Sequence, residues 1–365
     1  MSKLTNILEL NNWFKQDKIN PFIIAGPCSA ESEQQILETA KEISKSKIAN
    51  IFRAGVWKPR TRPGNFEGLG EQGLKLLQQV KSKFNLHTIT EVATPNHLNL
   101  CLKYGIDAVW IGARTTSNPF SVQEIANEIT KLKLDVPVFI KNPINPDINL
   151  WIGAIERIYE SGITRLGAIH RGFYPFENTY LRNIPKWEIA IELKSRYHNL
   201  PILTDPSHIS GDRRYIKDIS QKALDLNFDG LMIETHINPD VALSDSKQQI
   251  SPKKLLDIYK QLIIPVNTDS DRDLEQYRYK IDSIDSQLME LLSQRMDIVK
   301  LIGEYKKNNN ISIFQLRRWE EILKTRNLIG KQLGLDDKFI KKILQIVHKE
   351  SIEIQAEILK TRNQQ

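Results

Sequence analysis

PFIIAGPCSAESEQQILETAKEISKSKIANIFRAGV, residues 21–56, sets two short β-branched runs, PFIIAGPC (21–28) and NIFRAGV (50–56), on either side of the amphipathic stretch ESEQQILETAKEIS. This reads as strand, helix, strand. The alternation continues through HTITEV (87–92), AVWIGA (108–113), PVFIKN (137–142), RLGAIHR (165–171), PILTDPS (201–207) and GLMIETH (230–236), with segments such as SVQEIANEITKLK between most of them. Eight such runs predict an α/β fold, a parallel (β/α)8 TIM barrel. The span of about 245 residues has the usual size of that barrel. The barrel is placed at 21–264. Residues 1–20 read as an N-terminal extension that either caps the barrel floor or packs on a neighbour.

Near residue 265 the pattern changes. Pro265, Asn267, Thr268, Asp269 and Ser270 read as a linker (265–271) that ends in a helix N-cap. Apolar residues then recur at Leu274, Tyr277, Ile281, Ile284, Leu288, Leu291, Ile298, Ile302 and Tyr305 in steps of three and four, skipping 295. They predict a helix of roughly 37 residues, about 55 Å long. Two shorter helices follow, about 317–333 and about 337–360. They are too short to cover that seam. The all-α domain 272–365 is therefore expected to be an intertwined helical homodimer.

Composition excludes several classes. Of 365 residues, 40% are hydrophobic and 26% charged, as in ordinary globular domains with a full core. No apolar run is long enough to span a membrane, and the N-terminus shows no signal-peptide pattern. Two cysteines cannot make a disulfide framework, so a cytoplasmic setting is expected. The net charge of +7 is scattered, without a basic arm, so nucleic acid is not an expected partner.

In a TIM barrel the chemistry sits at the C-terminal ends of the strands. Those ends carry Cys28, then Arg53 with Lys58 and Arg60, Glu91, Arg114, Lys141, His170 with Arg171, Asp205 with His208, and Glu234 with His236. Cations converging in a cleft repel one another and persist where substrate anions compensate them. The expected ligands therefore carry phosphates or carboxylates. Cys28, His208, Glu234 and Asp245 together suit a borderline divalent ion such as Mn²⁺, Fe²⁺, Co²⁺ or Zn²⁺. On the residues alone, Cys28 reads equally as a small buried apolar side chain and His208 as a satisfied loop histidine.

The motifs GPCS (26–29), FRAGVWKPRT (52–61), IGARTT (111–116), FIKNP (139–143), IHRG (169–172), DPSH (205–208) and MIETH (232–236) resemble the 3-deoxy-D-arabino-heptulosonate 7-phosphate (DAHP) synthases of the short core-barrel type. The resemblance covers residues 20–260. It implies a metal on Cys28, His208, Glu234 and Asp245, with Mn²⁺ as the leading ion and Fe²⁺, Co²⁺ or Zn²⁺ as alternatives. It places phosphoenolpyruvate on Arg53, Lys58, Arg114, Lys141, Arg171 and the backbone of Ala113. Erythrose 4-phosphate falls to Lys58, Pro59, Arg60 and Thr61. Lys58 and His208 are the catalytic candidates. KPRT argues against the related keto-deoxyoctulosonate 8-phosphate synthases, while Arg62-Pro63-Gly64 departs from the usual Ser-Pro-aromatic.

In the tail, Arg295 occupies a slot where the seam 288, 291, 298, 302 calls for an apolar side chain. An unpaired buried guanidinium is costly, so it should face an anion. Lys306, three turns on, shares its face about 16 Å away, and Arg278 lies about 100° off, suited to a partner subunit's cavity. Arg278, IDSIDSQLMELLSQRM (281–296), EYKK (304–307), Arg318 and ESIEIQ (350–355) resemble the all-helical chorismate mutases. The resemblance implies that Arg278 of one subunit joins Arg295 and Arg318 of the other on the substrate carboxylates. Lys306 and Gln355 fall to the ether oxygen as catalytic groups, with Ser351 nearby. Trp319 stands where many members have a Glu that contacts the substrate hydroxyl. The expected protein is thus a bifunctional enzyme of the shikimate pathway. The alternative is a DAHP synthase whose tail is mainly a dimerising sensor of chorismate or prephenate. DAHP synthase barrels commonly assemble further, which allows a tetramer.

Overall fold

The computed structural model describes residues 4–14, 20–58, 64, 66–175, 179–265 and 272–360. Eight parallel strands close in chain order into a barrel: β1 (Phe22–Gly26), β2 (Ile51–Arg53), β3 (His87–Val92), β4 (Ala108–Ile111), β5 (Val138–Lys141), β6 (Leu166–His170), β7 (Ile202–Thr204) and β8 (Gly230–Glu234). The TIM-barrel expectation is met. Closure pairs β1 with β8 and sets Gly26 opposite Glu234.

The helices of this unit are α1 (Glu33–Ser46), α2 (Glu71–Phe84), α3 (Pro95–Lys103), α4 (Ala113–Thr116), α5 (Pro119–Leu132), α6 (Ile148–Glu160), α7 (Trp187–Arg196), α8 (Pro206–Ser210), α9 (Ile216–Asp225) and α10 (Pro252–Gln261). Short polar side chains start many of them. Ser32, Thr94, Asn118, Asp147, Asp205 and Ser251 each accept a bond from a backbone N–H of the first turn. The helices bury stripes such as Ile36, Ala40 and Ile43 against the outward-facing strand residues.

Inside the barrel, Ile24, Ile51, Ile89, Trp110, Phe139, Ile169, Leu203 and Met232 form a second cluster together with Leu10 and Trp13. The N-terminal segment therefore stops the barrel floor. Trp13 tilts onto Phe139 at 4.9 Å, Leu8 N donates to Thr164 O at 3.0 Å, and Arg165 Nη1 donates to Trp13 O at 3.1 Å. With the floor filled, chemistry is confined to the opposite end.

Residue contacts divide the chain into Met1–Val266 and Asn267–Gln365. Most of the expected linker lies outside the described residues. The second unit consists of α11 (Arg272–Asn308), α12 (Leu316–Gln332) and α13 (Asp337–Lys360). α11 has the 37 residues that its periodicity predicts. The face it buries within its own chain is Val299, Gly303 and Lys306. Every residue of the apolar seam from Leu274 to Tyr305 is exposed within the single chain. Arg295 keeps its expected place in the seam, projecting between Leu288 and Ile302, and it too is exposed. Val299 and Ile340 are the buried apolar side chains of this unit among the described residues.

Candidate functional site

The first candidate site forms where β1 closes on β8. Gly26 has φ +145, and a Cβ there would collide with the carbonyl of Arg53, so only glycine lets the chain turn this close to β2. Two residues on, Cys28 N donates to Gln249 Oε1 at 3.0 Å, while Ser29 Oγ and Ser244 Oγ are 2.8 Å apart. These bonds tie the loop after β8 to the loop after β1. They bring Asp245 Oδ2 within 3.3 Å of Cys28 Sγ.

Donor atoms of Cys28, Glu234 and Asp245 all lie within 4.8 Å of one another. His208, the fourth expected ligand, stands beside this trio rather than in it. Its Nδ1 is 3.8 Å from Glu234 Oε1 and 2.8 Å from Asp205 Oδ2.

Burial pushes the Cys28 thiol far above its ordinary range, and the Glu234 charge adds to the effect. Burial also opposes ionisation of Glu234 and Asp245. Even so, His208 and Arg53 hold Glu234 below the usual carboxylate range, and Arg182 and His208 hold Asp245 there. The two carboxylates repel each other. A buried thiol with two crowded carboxylates fits a divalent cation that accepts mixed sulfur and oxygen ligands. Such a cation would relieve the repulsion and take the thiolate.

Cations surround this trio. Arg53, 1% exposed, pairs through Nη2 with Glu234 Oε1 at 3.2 Å, and its guanidinium lies 4.9 Å from the Trp110 ring centre. Its Nε and Nη1 are buried without a hydrogen-bond partner. Lys58 Nζ sits 3.0 Å from both Sγ and O of Cys28. Burial opposes the charge on Lys58, but Cys28, Glu234 and Glu91 raise its proton affinity above the ordinary lysine range. Lys141 Nζ is 2.7 Å from Asp205 Oδ2, although burial still lowers its pKa.

Arg171 donates to Gly172 O and Asn183 Oδ1, and among the described residues no carboxylate pairs with it. Burial drives its guanidinium down to about 10. Asp205 counters this, while Arg182 and Arg114 add repulsion. Arg114 is exposed in α4, beside the half-buried Ala113. Gly112 just before them has no room for a Cβ because the Glu91 carboxylate fills that space. Pro59, Arg60 and Thr61 lie outside the described residues.

Sequence reasoning missed Arg182. It pairs with Asp245 Oδ1 at 3.0 Å and donates to Gln248 Oε1 at 2.6 Å, while Gln248 Nε2 donates to Glu234 Oε2 at 2.6 Å. Arg182 lies between β6 and α7 in a segment without periodicity, so no sequence signal marks it.

The second candidate site lies among α11–α13. Arg295 Nη1 donates to Ser351 Oγ at 2.7 Å, and Gln355 Nε2 donates to Ser351 O at 2.9 Å. Gln355 Oε1 is buried without a partner. Lys306, buried on the same side of α11, donates to Ile313 O at 2.6 Å. Burial lowers the pKa of both Arg295 and Lys306. Trp319 stacks on His348, with centroids 4.0 Å apart and planes at 11°.

Arg278 and Arg318 do not join this group within one chain. Both are exposed and pair on their own helices, Arg278 with Glu275 at 2.5 Å and Arg318 with Glu321 at 2.7 Å.

The model of the DAHP synthetase I family matches residues 14–265, and that of chorismate mutase type II matches residues 277–356. A phospho-2-dehydro-3-deoxyheptonate aldolase of Thermotoga maritima is 33% identical over 241 residues, 66% of this chain and 67% of the relative. A crystal structure of the Thermotoga maritima DAHP synthase aligns with TM-score 0.59 at 31% identity over 66% of this chain and 67% of that one. A 2-dehydro-3-deoxyphosphooctonate aldolase of Vesicomyosocius okutanii is 26% identical over 66% of this chain and 89% of the relative. No helix among the described residues is long and apolar enough to cross a membrane. On these matches the chain belongs to the DAHP synthetase I family, and its C-terminal helices are a chorismate mutase type II region.

Proposed function

We propose that the barrel condenses phosphoenolpyruvate with erythrose 4-phosphate to DAHP and inorganic phosphate, and that α11–α13 rearrange chorismate to prephenate. The observation that carries the first reaction is Arg53, a fully buried guanidinium with two nitrogens lacking partners beside Lys58, Lys141 and Arg171. Such a cluster is a seat for an anion with several negative oxygens. Arg53, Lys58, Arg114, Lys141, Arg171 and the backbone of Ala113 would hold phosphoenolpyruvate. Lys58, with Pro59, Arg60 and Thr61, would hold the aldehyde's phosphate. Fixing two mutually repelling phosphates side by side supplies proximity.

Cys28, Glu234 and Asp245, with His208 alongside, would hold a divalent cation, for which Mn²⁺ is our first choice. When bound, it supplies Lewis-acid polarisation of a carbonyl oxygen. Lys58, kept protonated by its anionic neighbours, would hold its proton at Nζ for delivery to the reacting centre. A carbon–carbon bond forms from C3 of phosphoenolpyruvate to the aldehyde carbon, water adds at C2, and phosphate leaves.

Rearrangement of chorismate needs no nucleophile. It needs a compact conformer and stabilised charge on the breaking C–O bond, both of which preorganised cations provide. Arg295, with Arg318 once it turns from Glu321 and with Arg278 of the partner subunit, would take the carboxylates. Lys306 and Gln355 would serve the ether oxygen. A second copy of the chain is supported by the exposed seam: a unit with so few buried apolar side chains cannot bury enough area to be stable alone. A cytoplasmic location fits the free, buried Cys28 and Cys101.

Chelation of the intact protein tests the barrel, and Lys306→Ala tests the helices. Chelation should stop condensation, with recovery on metal addition, while rearrangement continues. Lys306→Ala should cut rearrangement by about 100–1,000-fold and leave condensation alone. Full condensation without metal, or unchanged rearrangement in Lys306→Ala, overturns the corresponding half.

A further inference from the structure

α13 presents His348, Ser351 and Gln355 at steps of three and four, one stripe of the helix. Ser351 and Gln355 already belong to the helical site, whereas His348 has no role so far. Its Nε2 is sealed from solvent and has no hydrogen-bond partner, the same condition as Gln355 Oε1 two turns on. Its ring lies flat on Trp319 at 4.0 Å, and Phe314 tilts against it at 6.1 Å. Two aromatic neighbours therefore fix the imidazole plane while one ring nitrogen is left unsatisfied.

A buried polar atom in that condition carries its full desolvation penalty until a ligand provides the missing bond. The ring's charge state narrows the choice of ligand group. Burial first, then the charges of Arg295 and Lys306, lower its pKa and keep it neutral. Of the adjacent cations, Arg295 is the stronger partner for a carboxylate, and Lys306 serves the ether oxygen. A neutral imidazole beside them suits an uncharged oxygen.

We propose that His348 is a further substrate-contacting residue of the helical site. Its Nε2 hydrogen-bonds the uncharged ring hydroxyl of the dicarboxylate held by Arg295 and Lys306, and Trp319 is the positioning residue that fixes the ring. The proposal rests on the mutase reading above and names a contact which that reading leaves open.

The test compares chorismate with the analogue lacking the ring hydroxyl, in the intact protein and in His348→Leu and His348→Gln. Condensation and the circular dichroism of the helices are followed on the same samples. The unaltered protein should prefer chorismate by about 10–100-fold in kcat/KM. His348→Leu should lose that factor on chorismate and stay within about 3-fold on the analogue, so the preference vanishes. His348→Gln, whose amide reaches the same position, should restore part of it. If His348→Leu slows both compounds equally, or keeps the wild-type preference, the contact is refuted. If the unaltered protein rearranges chorismate without preferring it, the hydroxyl contact falls while the mutase reading stands. If it rearranges neither compound, the mutase reading falls and takes the contact with it.

Discussion

Replacing Arg53 by methionine separates a structural ion pair from an anion seat. In the ligand-free protein the opposing effects nearly cancel. Loss of the guanidinium takes from Glu234 Oε1 its partner at 3.2 Å, and breaking one side of a buried pair costs about 3–5 kcal/mol. Glu234 keeps Gln248 Nε2 at 2.6 Å and His208 at 3.8 Å, which holds that cost to the low end. In return the variant no longer buries Nε and Nη1 unpaired, each a penalty of about 1–3 kcal/mol. The net loss is about 2 kcal/mol or less.

The ligand response differs much more. At 100 times its Kd, phosphoenolpyruvate stabilises the wild-type protein by about 2.7 kcal/mol. That corresponds to roughly 5–11 °C in the barrel transition at 2–4 °C per kcal/mol. Without two charge-assisted bonds worth about 1.5–3 kcal/mol each, affinity falls at least ~100-fold. The same concentration then gives a shift of only about 1–2 °C. Scanning calorimetry with phosphoenolpyruvate titrated into both proteins reads this directly. A wild-type shift in Arg53→Met refutes the anion seat. A ligand-free Tm lowered by more than about 15 °C assigns Arg53 to structure instead.

Two further tests bear on the units separately. Burial holds the His170 imidazole down to about 4, against about 6.5 unfolded, so folding favours the neutral ring. Its stabilisation is complete above pH 6.5 and is lost as pH falls from 6.5 to 4, about 3 kcal/mol in all. Urea unfolding of His170→Gln should show a flatter acid limb than wild type, and an unchanged limb would dismiss the assignment. In the helical unit, Leu291→Asp places a charge on the exposed apolar seam. If that seam is where two copies meet, sedimentation should show the assembly halved and rearrangement lost with the partner's Arg278, while condensation persists. An unchanged mass would exclude the seam as the contact.

The barrel was legible because chemistry at strand ends follows from where the strands end. Ile51–Arg53 and Val138–Lys141 each finish on a cation of the candidate site, and β8 finishes on Glu234. Cys28 and Glu234 meet because the first strand pairs with the last, which the eightfold repeat implies without any local motif. Arg182 was invisible for the opposite reason. It comes from an irregular segment, and its role depends on reaching Asp245 in another irregular segment, held at φ +49.

The helical tail shows a subtler limit. Steps of three and four locate α11 and its length, but they sum all apolar and polar preferences around one axis. Within one chain α11 buries Val299 and Gly303 and leaves Leu288 and Leu291 exposed, although Leu288 and Val299 project only about 20° apart. Periodicity assigns the seam one stripe with Arg295 in its middle, but it does not tell which residues along that stripe the chain covers itself. The same limit hides His348. Its spacing from Ser351 and Gln355 is plain in the sequence, but the meaning of that spacing depends on Trp319 of α12 closing over the ring. A polar stripe on one helix becomes a site only when a second helix supplies the surface that fixes it.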